Sequence, residues 1–128
     1  MKILIDTHAL LWLITGDKQL SAKSSQIFSD TDNELFFSMA SFWEICIKVS
    51  IGKLQLSDNW DTLIKDELTY NSIKLLPISE PHCLQVIQFP FYHRDPFDRL
   101  IIAQAVVEEM QIMTADNIFS QYEVKTIW

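Results

Sequence analysis

Four acidic residues stand at points where the chain changes character. Asp6 ends the run Lys2 to Ile5, Glu44 lies among Phe42, Trp43 and Ile45, Asp98 follows Asp95-Pro96 at the head of an apolar stretch, and Asp116 comes just after Ile112-Met113-Thr114. Each has an ordinary explanation. Asp6 and Asp116 can cap the helical segments that follow them, and Asp95 and Asp98 can both serve the first turn of one helix. Glu44 has a partner at Lys48 in the favourable Glu-then-Lys order, worth only about 0.2–0.5 kcal/mol on a helix surface. Together the acids offer a different chemistry. Carboxylates within a few ångströms of one another repel, so either some take up protons or a divalent cation holds them. All-oxygen donors select hard ions such as Mg²⁺ or Mn²⁺. Such a site activates water and clamps a phosphate for in-line displacement, and where two ions are present they lie about 3.5–4 Å apart.

The segments decide whether those acids meet. Lys2 to Ile5 reads as a strand buried on both faces, Thr7 to Thr15 as a helix stopped by Gly16, and Leu20-Ser21 as the start of a second helix reaching about Asp30. Glu34 to Ser38 is a second strand, and Ser38 or Ser41 caps a helix that stops at Gly52. Asn59 to about Tyr70 is amphipathic and helical, Leu75 to Ile78 is an edge strand interrupted by Pro77, and Pro81 begins a helix from Glu80 to about Gln88. After a loop from Phe89 to His93, Asp95 and Pro96 open a helix to about Met110 whose interior is apolar almost all round, as in a helix buried against a sheet. Ile112 to Thr114, a helical turn around Ile118-Phe119 and a strand from Val124 to Ile127 close the chain. Strands alternating with helices predict an α/β fold, a three-layer α/β/α arrangement with a central, mostly parallel sheet formed by residues 1–128 as a single domain. In such a sheet the strand ends share one edge, so Asp6, Asp98 and Asp116 are expected there, with Glu44 turned toward them from its helix.

With 128 residues, nearly half of them hydrophobic and only two of them glycine, the chain is of globular and not disordered or low-complexity type. A formal net charge of -7 argues against non-specific coating of nucleic acid, which relies on many Lys and Arg, but leaves room for a local site. Cys46 and Cys83 form no C-x-x-C or zinc-type pair, and His8, His82 and His93 show no ligand spacing. The run Ala9 to Ile14 is too short to span a membrane, and Asp6 and His8 spoil it as a signal-peptide core, so a reducing, cytoplasmic setting is expected.

The residues resemble those of PIN-domain ribonucleases, and among them the VapC-type toxins of prokaryotic toxin–antitoxin pairs. The resemblance runs through Leu4-Ile5-Asp6-Thr7-His8-Ala9-Leu10-Leu11-Trp12, then Ser41-Phe42-Trp43-Glu44-Ile45 with Ile51-Gly52-Lys53-Leu54, then His93-Arg94-Asp95-Pro96-Phe97-Asp98-Arg99, and finally Thr114-Ala115-Asp116 with Phe119. It implies a Mg²⁺- or Mn²⁺-dependent endoribonuclease whose metal-binding and catalytic acids match Asp6, Glu44, Asp98 and Asp116, with Thr7 and Thr114 in support; Asp95, placed before Pro96 to cap the helix, is expected to assist only electrostatically. It also implies a homodimer silenced by a cognate antitoxin.

Lys48, Lys53, Arg94 and Arg99 are the basic residues nearest the acids and are candidates to hold RNA phosphates, although Lys48 has Glu44 to pair with. His93 is a candidate RNA contact or an ordinary loop residue, and the four tryptophans read as core or interface more readily than as base-stacking platforms. Two other functions compete: a PIN-like module that has lost catalysis and only binds protein, and a phosphohydrolase forming an aspartyl-phosphate. The intact set of acids disfavours the first; His8, where a second Asp would stand, disfavours the second.

Overall fold

The strand that opens the chain becomes the middle of the sheet. In the computed structural model, which describes residues 1–128, β1 (Lys2–Ile5) buries Ile3, Leu4 and Ile5 completely, as a run of apolar side chains facing both ways must. α1 (Thr7–Thr15) follows, closed by Gly16 at φ 66°, and then α2 (Ala22–Ser29), whose N-cap Ser21 accepts from the Ser24 N–H. Next come β2 (Glu34–Ser38), α3 (Met39–Ser50), α4 (Trp60–Tyr70), β3 (Ile73–Leu76), α5 (Glu80–Ile87), α6 (Pro96–Val107), β4 (Gln111–Met113), a 3₁₀ turn (Asn117–Gln121) and β5 (Thr126–Ile127). The strand order is β3-β2-β1-β4-β5 with every pairing parallel.

Alternation along β1 divides the core in two. Ile3 and Ile5 pack with Leu10 of α1, Ile27 and Phe28 of α2, Ile45 of α3 and Ile64 and Leu68 of α4. Leu4 faces the other way, onto Ile101, Ile102 and Ala105 of α6 and onto Phe119 and Tyr122. The result is the three-layer α/β/α arrangement expected from the sequence. α6 is buried against the sheet, α3 and α5, which explains its apolar surround; the buried polar side chain in its second half, Gln104, is bonded to Ser38 Oγ, the Pro77 carbonyl and His82 Nδ1.

Several boundaries differ from the sequence expectation. β3 begins at Ile73 and stops before Pro77, because proline has no N–H for the ladder; the strand is nevertheless at a sheet edge. α6 ends at Val107 and not near Met110, since Glu109 turns the chain with φ 56° and the Met110 N–H closes on the Ala105 carbonyl. β5 is limited to Thr126–Ile127, and Ser38, not Ser41, caps α3 by accepting from the Ala40 N–H.

The start of α6 is held as its sequence predicts. Asp95 Oδ1 accepts from the N–H groups of Phe97 (2.9 Å) and Asp98 (3.1 Å), and Pro96 occupies the first helical position. Replacing Asp95 by Ala is expected to cost about 0.5–2 kcal/mol for the lost cap. Urea unfolding in about 1 M salt, where the Debye length is about 3 Å and repulsion of Asp95 by its neighbours is screened, checks this; unchanged stability there would refute the capping role.

Candidate active site

Parallel pairing of β1 with β4 brings two chain reversals side by side. The Asp6 N–H donates to the Met113 carbonyl at 3.0 Å, and the Thr114 N–H donates to Ile127 at 3.1 Å, so both residues remain in register just beyond their strands. Asp6 occupies the N-cap position of α1 but its side chain does not cap. Instead Asp6 Oδ2 accepts from Thr114 Oγ1 at 2.9 Å, while the same hydroxyl accepts from the Asp116 N–H at 3.1 Å. Thr114 thus ties the first acid to the backbone of the last. Asp116 itself is exposed, and its Oδ1 accepts from the Ile118 N–H at 3.0 Å to start the 3₁₀ turn.

Glu44 enters from α3 and is 3 % exposed. Its Oε1 accepts from Thr7 Oγ1 at 2.9 Å and its Oε2 meets Lys48 Nζ at 2.8 Å, so the pairing with Lys48 that the sequence allowed is made, but at a buried carboxylate. Asp98, in the first turn of α6, has one side-chain partner, His93 Nε2 at 3.2 Å from Oδ2. Its carboxyl is pushed up from an ordinary 3.8 to about 8, first by burial and then by the negative charges of Asp95, Asp6, Glu44 and Asp116. The acids singled out in the sequence therefore act on one another. Burial also raises Asp6, partly offset by the Thr114 hydrogen bond, whereas the hydrogen bond to Glu44, with lesser attraction from Asp95 and Asp98, raises Lys48.

The basic candidates separate. Lys53 and Lys48 line a cleft of about 280 Å³ together with Thr7, His8, Leu11, Ile45 and Leu54, directly beside Glu44. Arg94 is exposed, with its guanidinium 5.4 Å from the Phe91 ring. Arg99 does not face the site's opening. It is 4 % exposed, donates to the carbonyls of Pro90, Val86 and Phe89 and to Tyr122 Oη, and lies 4.3 Å over the Phe91 ring, so its charge is spent on the loop before α6 and not on a phosphate. Trp43, 57 % exposed and edge-on to Phe97, is not a core residue, whereas Trp12 packs on Trp128 and Trp60 on Phe42. The sequence reading missed the partnership of His93 with Asp98 and had no sight of Tyr122. Five-residue spacing from Asp98 was the only available signal for His93; nothing local marks Tyr122.

As placed, no group of three or more His, Cys, Asp or Glu side chains is close enough together to hold an ion. The donors at this edge are nonetheless of the kind a hard divalent cation takes: oxygens only, from four separate elements, with more negative charge than Lys48 balances. Ser41 Oγ, one turn before Glu44 on α3, is a buried polar atom with no partner. The residue set fits such an ion, with Asp6, Glu44, Asp98 and Asp116 as its holders.

A family model described as PIN domain matches residues 3–125. Among solved structures, the chain superposes on VapBC2 of Rickettsia felis bound to a DNA fragment from their promoter with a TM-score of 0.76 at 12% identity, covering 99% of this chain and 98% of that one. For VapBC-1 of nontypeable Haemophilus influenzae the TM-score is 0.69 at 18% identity over 99% and 97% of the two chains. For a toxin-antitoxin complex from Klebsiella pneumoniae it is 0.65 at 13% identity over 98% and 96%. No curated protein matches the sequence. At such identities the superpositions speak for the fold, while the family match runs from the first strand to within three residues of the end. On that match, and with a five-stranded parallel sheet gathering acids at one edge, the chain belongs to the PIN domain family.

Proposed function

We propose that this protein is a divalent-metal-dependent endoribonuclease acting as the toxin of a toxin–antitoxin pair. PIN domains are generally nucleases. The observation that carries the reading for this chain is that Asp98 is buried within the field of Asp95, Asp6, Glu44 and Asp116, so that burial first and those charges second push its carboxyl up to about 8. A bound Mg²⁺ or Mn²⁺ would supply an activated water and a Lewis acid at the scissile phosphate. The chain supplies the geometry. Thr114 orients Asp6, Thr7 orients Glu44, Asp95 fixes the helix turn that presents Asp98, and Lys48 and Lys53 line the adjacent cleft where flanking phosphates of the RNA can rest. Arg94, exposed on the loop before α6, is a further candidate to hold a phosphate.

The partner reading rests on a groove of about 300 Å³ where Leu11 and Ile14 of α1, Leu56, and Trp60 and Leu63 of α4 remain partly open above the buried Ile64. Leu10, on the same helix, takes no part in it and is fully buried in the core. A segment of a cognate antitoxin is the proposed occupant, by analogy with the toxin-antitoxin complex of similar fold; a homodimer remains part of the proposal on resemblance alone.

Cleavage of a mixed RNA by purified protein is expected with Mn²⁺ or Mg²⁺ and not in excess EDTA. Asp6→Asn, Glu44→Gln, Asp98→Asn and Asp116→Asn should each lose more than about 100-fold in rate, beyond the range for residues that only support a metal ligand, while remaining folded by circular dichroism. Full activity in EDTA would refute the metal mechanism, and a folded wild type with no activity on any RNA would favour the binding-module alternative.

Stability should follow the charge. With a folded pKa of about 8 against an ordinary 3.8, Asp98 keeps its proton in the folded state over a range in which the unfolded chain releases it. The native state binds more protons there, so the metal-free protein loses stability as pH rises from about 4 to about 8. Asp98→Asn should flatten that fall and raise the melting temperature at pH 8, and added Mn²⁺ should raise it in the wild type. Identical pH profiles for wild type and Asp98→Asn in EDTA would show that Asp98 is not under this strain.

A further inference from the structure

We propose that His93 is a positioning residue for Asp98: Tyr122 and Arg99 hold it in the tautomer whose Nε2–H binds Asp98 Oδ2, which fixes the orientation in which that carboxyl would meet a metal ion. The inference rests on the metal-dependent reading above but concerns a different group. It begins with Arg99, whose guanidinium can only donate. Arg99 Nη1 lies 3.1 Å from Tyr122 Oη and 2.8 Å from the Pro90 carbonyl, and Nη2 bonds the carbonyls of Val86 and Phe89. Tyr122 Oη therefore accepts from Arg99, and its own hydrogen is free for its other partner, His93 Nδ1 at 2.7 Å. With Nδ1 accepting, the ring hydrogen is on Nε2, which stands 3.2 Å from Asp98 Oδ2.

The surroundings make this orientation rigid. Tyr122 is 4 % exposed and is met edge-on by Phe89, Tyr92 and His93, with ring centroids 4.9 to 5.5 Å apart. Arg99 occupies the next position after Asp98 on α6 and ties down the very loop that carries His93, so the helix that presents the carboxylate also fixes the imidazole that orients it. Asp6 and Glu44 each receive a threonine hydroxyl; Asp98 has no threonine, and His93 fills that role. Hydrogen-bonded partners of this kind hold a ligand's orientation, and their loss costs about 10–100-fold in metal affinity.

The test is Mn²⁺ titration of the full chain by calorimetry without RNA, on wild type, His93→Phe, His93→Gln and Tyr122→Phe, with ¹⁵N spectra of the imidazoles. Expected are an Nε2–H tautomer for His93 in the wild type, about 10–100-fold weaker Mn²⁺ binding in His93→Phe, and substantial recovery in His93→Gln, whose amide restores a donor. Tyr122→Phe should mix the tautomers and weaken binding to a lesser degree. Equal Mn²⁺ affinity in wild type and His93→Phe, or an Nδ1–H tautomer, would overturn the positioning role and leave the nuclease reading untouched. Conversely, a wild type that binds Mn²⁺ in a His93-dependent way yet cuts no RNA would support the positioning role and overturn the proposed function. A wild type that binds no Mn²⁺ sinks both. Should His93→Phe fail to fold, the wild-type tautomer and the behaviour of Tyr122→Phe decide the matter.

Discussion

Repulsion among carboxylates gathered at one edge of a parallel sheet is the constraint on which the rest of this structure depends. A fold does not bring Asp6, Glu44, Asp98 and Asp116 within each other's field unless their backbones are held firmly, because each would lower its energy by moving away. The holding is done by elements with no freedom to yield. β1 and β4 are hydrogen-bonded neighbours buried among apolar side chains, α3 is locked by Ile45 in one core, and α6 is sunk between the sheet and two helices.

Around that edge the protein uses hydroxyls and one ammonium to make the crowding tolerable. Thr114 and Thr7 each donate to a buried acid, and Lys48 supplies a charge that Glu44 holds at 2.8 Å. None of these partners bonds to Asp98, whose carboxyl burial and the charges of Asp95, Asp6, Glu44 and Asp116 push up to about 8; a divalent cation is the kind of partner that would offset both. Five of the seventeen acids of this chain, Asp6, Glu44, Asp95, Asp98 and Asp116, lie at this edge, beside a cleft bordered by Lys48 and Lys53.

Arg99 shows how the same short motif serves two purposes. In sequence it stands next to Asp98 and looks like a phosphate binder; in the fold its fork of donors gathers three carbonyls and Tyr122 Oη beneath the Phe91 ring. A buried guanidinium needs several acceptors, and the carbonyls of Val86, Phe89 and Pro90, at the end of α5 and in the loop after it, supply them. The site's rim is thereby built from inside, and the loop before α6 becomes part of the scaffold.

What the sequence determined by itself follows from periodicity and punctuation. The fully apolar Ile3-Leu4-Ile5 demanded a central strand, Asp95-Pro96 demanded a helix start, and strand–helix alternation demanded a parallel sheet whose ends share one edge, which located the acids without any knowledge of distance. Edges were legible to within a few residues where proline or a positive φ at Glu109 overrode the apolar pattern. Only the tertiary structure decided which partner each polar group takes. Whether Asp6 caps α1 or accepts from Thr114, whether Arg99 faces outward or in, and whether His93 is idle or meets Asp98 all depend on residues 5 to 108 positions away in the chain. Hydrogen bonds and charges act over ångströms of space, and a single sequence records order along the chain, not the folding that makes distant residues neighbours.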